Sequence, residues 1–222
     1  MDTNKSIIYI DNIFLNRALC YTLSSYSEKY SDKFTDTEWD SNINSANISE
    51  LSKYLIEYSS NTDENYNWLG LEQSEEVDVI AFDCDKFHFD SGVYNNREFL
   101  YVNKTKVNII IKTVNPSNIY NSTTFDNAIN DSALAPLIDL HISKNRILKT
   151  YKSICLVGID KYFNALIEKC YNRKFPIMRY TVKETVDIGG LIVKDQINNN
   201  NILSQDIKYP IARMWGLKHE EL

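Results

Sequence analysis

The chain has 222 residues, enough for one large domain, and its 43% hydrophobic and 24% charged residues are the proportions of a globular protein rather than a disordered one. A net charge of -6 argues against general binding to duplex nucleic acid, where affinity comes mainly from lysine and arginine on phosphates. No apolar run approaches the roughly 20 residues of a membrane span, and Met1–Lys5 followed by the short run Ile7–Ile10 lacks the pattern of a signal peptide.

Phe14, Leu15, Ala18, Leu19, Leu23, Tyr26 and Tyr30 recur at helical spacing, with Asp11 or Asn12 as the cap unless Ile7–Ile10 belongs to the same helix. A polar stretch over 31–46 follows. Asn47 and Glu50 then form a capping-box pair for a second helix that lines Ile48, Leu51, Leu55 and Tyr58 along one face. Residues 59–76 are acidic and polar, which predicts a loop or surface arm.

Strands are predicted next, at Val77–Phe82 with a possible extension to Phe89, at Glu98–Val102 and at Val107–Val114. The last two flank Asn103–Lys106, which reads as a hairpin turn, and Asn115-Pro116 ends the run. Thr123–Ala135 suits a short helix stopped by Pro136, and Leu137–Lys152 is ambiguous between strand and helix. Ile154–Ile159 reads as a buried strand. Asp160 then caps a helix with Phe163, Leu166, Ile167, Cys170 and Tyr171 on one face and Arg173 and Lys174 at its end.

Ile177–Lys183 alternates as a strand, and Gly189-Gly190 can turn it back into Leu191–Lys194 as a second hairpin. Beyond an asparagine loop at 198–201, Ile211, Met214, Trp215 and Lys218 suit a last short helix or docking tail. Helices and hairpins are interspersed rather than strictly alternating. The pattern predicts a single α+β domain over residues 1–222, a mixed or antiparallel sheet built from hairpins with amphipathic helices packed on it.

The cysteines, Cys20, Cys84, Cys155 and Cys170, form no C-x-x-C pair and read as core or near-core thiols in a reducing compartment. This leads to the expectation of a cytoplasmic protein, or one inside a particle assembled in the cytoplasm. Abundant Asn, Ile, Lys and Tyr, with lysine outnumbering arginine about three to one, suit AT-rich coding, as in a low-GC bacterium, a phage or another virus, or a parasite.

The sharpest chemical motif is Phe82-Asp83-Cys84-Asp85-Lys86-Phe87-His88-Phe89-Asp90. On a strand, Asp83 and Asp85 share a face and could hold a hard divalent cation through oxygen ligands, with His88 and Asp90 on the opposite face. Phe89-Asp90-Ser91-Gly92 resembles an aspartic-protease half-site, an activity that would need a homodimer so that two carboxylates share a proton. His141-Ile142-Ser143 resembles one half of a two-histidine phosphoesterase motif, but no second copy exists. No glycine-rich phosphate loop is present, and no cofactor is expected.

Lys144, Arg146, Lys149 and Lys152 make a local basic patch, suited to an acidic neighbour or to a solvated helix face. Trp39, Tyr66, Trp68, Tyr94, Tyr120 and Trp215 lie outside the periodic core positions, in segments read as polar loops, where aromatics act as interface anchors. The reading is therefore of a non-enzymatic assembly or binding subunit of a larger complex, such as a component of a phage or viral particle or a related machine. Its partners would be other protein subunits in a homo- or hetero-oligomer, with no membrane. The alternative is a metal-dependent phosphoryl-transfer or hydrolytic enzyme using Asp83 and Asp85, or an aspartic protease using Asp90.

Overall fold

The computed structural model describes residues 4–12, 14–15, 45–61, 69–84, 94–114, 135–158, 162–181, 186–188, 191–193 and 204–206. The run Ile7–Ile10 is a strand, β1 (Lys5–Asp11), and not part of the helix that follows. Asp11 is the cap: its Oδ1 accepts the Phe14 N–H at 3.0 Å, and residues 12, 14 and 15 are helical.

Helix α1 (Ser45–Asn61) begins before the expected capping box, so Asn47 lies inside its first turn and is not its cap. The helix also runs through 59–61, which the sequence assigns to a polar arm. Ile48, Leu51 and Leu55 are buried along it as expected.

Strands β2 (Glu76–Cys84), β3 (Tyr94–Val102) and β4 (Thr105–Val114) follow. The hairpin closes as Val102↔Thr105, leaving the two-residue turn Asn103-Lys104 in place of the four expected. Asn103 takes the positive φ of 53° that this turn needs, a conformation asparagine tolerates better than most residues.

Pro136 does not stop a helix. It sits in the first turn of α2 (Ala135–Lys144), where its missing N–H has no helical acceptor to lose. The ambiguous stretch is helical, α2 breaking at Asn145-Arg146 into the single turn α3 (Ile147–Thr150), with Arg146 left-handed at φ 52°.

Strand β5 (Ser153–Val157) leads to α4 (Tyr162–Asn172). This helix buries Phe163, Leu166, Ile167 and Cys170, but Tyr171 is 46% exposed and leaves the expected face. Its end is a Schellman turn: Phe175 N–H donates to Cys170 O, Lys174 N–H donates to Tyr171 O, both at 2.9 Å, and Lys174 is left-handed at φ 56°.

Strand β6 (Ile177–Thr181) joins β5 in parallel and does not fold back on Leu191–Lys194. The second hairpin is instead β7 (Val186–Ile188) with β8 (Leu191–Val193), a separate two-stranded sheet. Strand β9 (Ser204–Asp206), which the sequence pattern gave no sign of, lies beside β6.

The fold is α+β, a mixed sheet with helices on both faces. Its order is β3-β4-β2-β1-β5-β6-β9, and every pairing is parallel except β3 with β4. The order reverses at β1, which pairs with β2 on one side and β5 on the other.

Alternation along β1 sends Ile8 and Ile10 to one face and Ile7 and Tyr9 to the other. Ile8 and Ile10 meet Ile48, Leu51, Leu55 and Ile56 of α1. Ile7 and Tyr9 meet Ile138 and Ile142 of α2 and Phe163 and Ile167 of α4. The two apolar layers explain why these strands read as continuous apolar runs in sequence. At the start of β1, a buried chain of hydroxyls ties three segments together. Ser153 Oγ donates to Ser6 Oγ at 2.7 Å, and Ser6 Oγ pairs with Ser74 Oγ at 2.7 Å.

Candidate interaction surface

Among the described residues strand β3 ends the sheet, and its two faces have different fates. Val102 is buried in the layer under α1 and Leu100 packs against that layer. Arg97, Phe99 and Tyr101 therefore share the opposite face. There α2 and α4 pack over Tyr9, Ile80, Phe82 and Leu156, nearer the middle of the sheet. Phe99 is left 73% exposed and Tyr101 65% exposed, with Arg97, Glu98 and Lys104 exposed around them.

The β4 positions opposite these aromatics are polar and hydrogen-bonded or ion-paired. Asn108, opposite Phe99, donates to the carboxylates of Glu76 and Asp78, the latter at 2.7 Å. Lys106, opposite Tyr101, lies 3.7 Å from Glu76, which also pairs with Lys5. The Lys5 hydrogen bond, with help from Asn108, holds the Glu76 carboxyl below its ordinary range. Tyr151 OH donates to Asp78 at 2.5 Å, and burial, with this bond, pushes its phenol pKa up. Phe99 and Tyr101 thus lie beside a hydrogen-bonded polar row of Lys106, Asn108, Glu76 and Asp78.

Open parallel sheets often hold ligands at the strand ends where strand order reverses. Here that place carries Asp11 and Asn12, which are 0% and 1% exposed, and Gly158. Asn12 Oδ1 is buried with no hydrogen-bond partner among the described residues. Both side chains are too deeply buried to meet a ligand arriving from solvent, so this edge is not the candidate surface.

Nearby, Tyr9 OH lies 2.9 Å from His141 Nδ1, and the Phe82 ring meets His141 edge-on. Burial, then the Lys112 charge, lowers the His141 pKa from 6.5 to about 4. Burial also raises the Tyr9 pKa, so the contact joins a neutral phenol to a neutral imidazole. Above pH 6.5 His141 is neutral both folded and unfolded, and its titration adds nothing to stability. As pH falls from 6.5 towards 4, the unfolded chain takes a proton that the folded one refuses, so stability falls. Because His141 is half-exposed, the expected loss is about 1–2 kcal/mol, well below the full shift. Urea melts of wild type and His141→Gln at pH 7 and pH 4.5 should differ by that amount in the steepness of their pH dependence. Parallel pH profiles would show that the imidazole contributes nothing.

Of the residues selected from sequence, Tyr94 opens β3 itself and pairs with Thr113, as does Asp83 from the other side of β4. Trp39, Tyr66, Trp68, Tyr120 and Trp215 lie outside the described residues, as do Asp85, His88 and Asp90. Asp83 is half-buried near the end of β2. Among the described residues no group of three or more His, Cys, Asp or Glu is placed to hold a metal ion.

Lys144, Arg146 and Lys149 are exposed around the α2–α3 break. Lys152 leaves this basic patch. It is half-buried beyond the end of α3 and donates to Asn4 Oδ1 at 3.1 Å. The other three lie at or just past the end of α2, where cations complement the helix dipole.

Phe99 and Tyr101 were missed because aromatics suit a strand interior and drew no notice there. The signal was nonetheless present. Phe99 and Tyr101 alternate with Leu100 and Val102, which makes both faces of the strand apolar. Comparison with family models, with curated proteins and with solved structures finds no match to this chain. No described helix is long and apolar enough to cross a membrane.

Proposed function

We propose that this chain is a non-enzymatic binding subunit that joins a larger protein assembly through the edge strand β3. The observation that carries the reading is the exposure of Phe99, at 73%, beside Tyr101, at 65%, on the last strand of the sheet. An end strand presents a row of backbone N–H and C=O groups, and proteins that stay monomeric blunt such edges with charge, proline or a covering element. Here Arg97 and Glu98 lie on the strand, and two large aromatics flank the row beside them. A strand supplied by a partner would satisfy the backbone groups while the aromatics take up its side chains. A component of a phage or viral particle, or of a related machine, is the kind of assembly that suits the AT-rich composition.

The test is Phe99→Ser/Tyr101→Ser. Both side chains are mostly in solvent, so the fold should lose no more than about 0.5 kcal/mol per site. Association should be lost. Mass by light scattering is measured for both proteins, alone over a wide concentration range and mixed with the products of neighbouring genes. A wild type that is monomeric in every mixture, or a double variant that associates as the wild type does, would refute the proposal.

A further inference from the structure

We infer that the partner of β3 is a second copy of this chain, paired antiparallel about a two-fold axis at Leu100. The inference rests on the proposal that β3 is the docking strand, and it follows from register. Val102↔Thr105 closes a two-residue turn and is the bonded pair facing β4. The backbone groups of Leu100 and Glu98 then also face β4, while those of Arg97, Phe99 and Tyr101 face outward.

A two-fold axis perpendicular to the sheet returns each face to itself. Residues that meet across it must therefore be both odd or both even in number, which leaves few registers. Centring on Arg97 or Glu98 sets like charges directly opposite one another, which is destabilising. Centring on Phe99 puts the two Glu98 side chains on one diagonal, again like against like. Centring on Tyr101 places Phe99 against Asn103 of the turn and leaves one aromatic without a counterpart.

Centring on Leu100 sets Phe99 of each copy against Tyr101 of the other, twice, on the exposed face. Glu98 then faces Val102 with Lys104 on its diagonal, an opposite-charge pair formed at both ends. Leu100 meets itself at a non-bonded position, where side chains approach most closely. The contact is isologous, so it closes at two copies and joins the two seven-stranded sheets into one continuous sheet.

Two measurements test it. Leu100→Cys should give a disulfide-linked dimer under mild oxidation, while Glu98→Cys, which faces Val102, should not. Of the four native cysteines, Cys155 and Cys170 are buried, and the wild type, which carries all four, is oxidised in parallel as the control. Separately, Glu98→Lys should weaken the dimer by about tenfold, and Glu98→Lys/Lys104→Glu should restore it. This pair keeps the inference falsifiable where Leu100→Cys, a partly buried position, disturbs the fold.

Cross-linking through position 98 but not 100, or no rescue by the charge swap, would overturn the register. A chain that is monomeric alone but bound through Phe99 and Tyr101 to another protein would overturn the second copy and leave the assembly reading standing. A monomer in every mixture ends both.

Discussion

Phe163→Ala is expected to lower the unfolding free energy by about 3–5 kcal/mol, as for other large aromatics removed from a close-packed core. Phe163 is 0% exposed and packs among Ile7, Tyr9 and Leu156 on the face covered by α2 and α4. Its position depends on Gly158, which follows β5. A Cβ added there would lie 3.0 Å from Phe163 Cε2 and 3.6 Å from Asp11 Cβ. Gly158→Ala alone should therefore cost about 1–3 kcal/mol by overpacking. Combined with Phe163→Leu, which retracts the ring edge, it should cost clearly less than the sum of the two single changes. Urea denaturation of the four proteins gives the coupling directly. Strict additivity would mean that Gly158 is not what makes room for the ring.

Ser6→Ala should be the next most damaging change, at about 2–4 kcal/mol, because it removes the middle of the buried hydroxyl chain and leaves two others short of a partner. Ser153 Oγ loses its acceptor, and Ser74 Oγ keeps only the Gly70 carbonyl at 3.3 Å. The triple change Ser6→Ala/Ser74→Ala/Ser153→Ala should cost less than the three single changes summed, since it leaves no orphaned hydroxyl behind. Equal costs for the sum and the triple, again by urea denaturation, would show that the hydroxyls act independently.

The elements the sequence made legible are those with a local signature. Ile154–Val157 and Val107–Val114 are apolar runs of strand length, and α4 carries Phe163, Leu166, Ile167 and Cys170 on one face with basic residues past its end. Pairing partners have no such signature. Parallel strands buried on both faces look alike wherever they sit, so the order around β1 could not be read from them. Pro136 misled for a related reason: it is tolerated in a first turn and forbidden in an interior one, and the sequence does not say which turn it occupies.

The exposed pair on β3 is not among the aromatics selected from sequence, five of which lie outside the described residues. Aromatics among polar loop residues stand out in a sequence. Phe99 and Tyr101 sit instead in a regular strand, and they stand out only once β3 is known to be the end of the sheet. Tyr94, chosen as a loop aromatic, turns out to open the same strand. Asp83 lies in β2, one residue past Phe82 and within the possible extension of that strand.

The position of β1 has a bearing on how the chain is made. One of this strand's two neighbours is made long after β1 itself, as the 147-residue separation of Ser6 from Ser153 records. At about 5–20 residues per second, roughly 7–30 s pass before β5 exists to cover that side. Throughout that interval Ile7–Ile10 is a strongly apolar strand with at most one flank paired, and contacts this distant in sequence are slow to close. The growing chain is thus exposed to wrong pairing at a strand that will be buried from Ser6 to Asp11 in the finished protein.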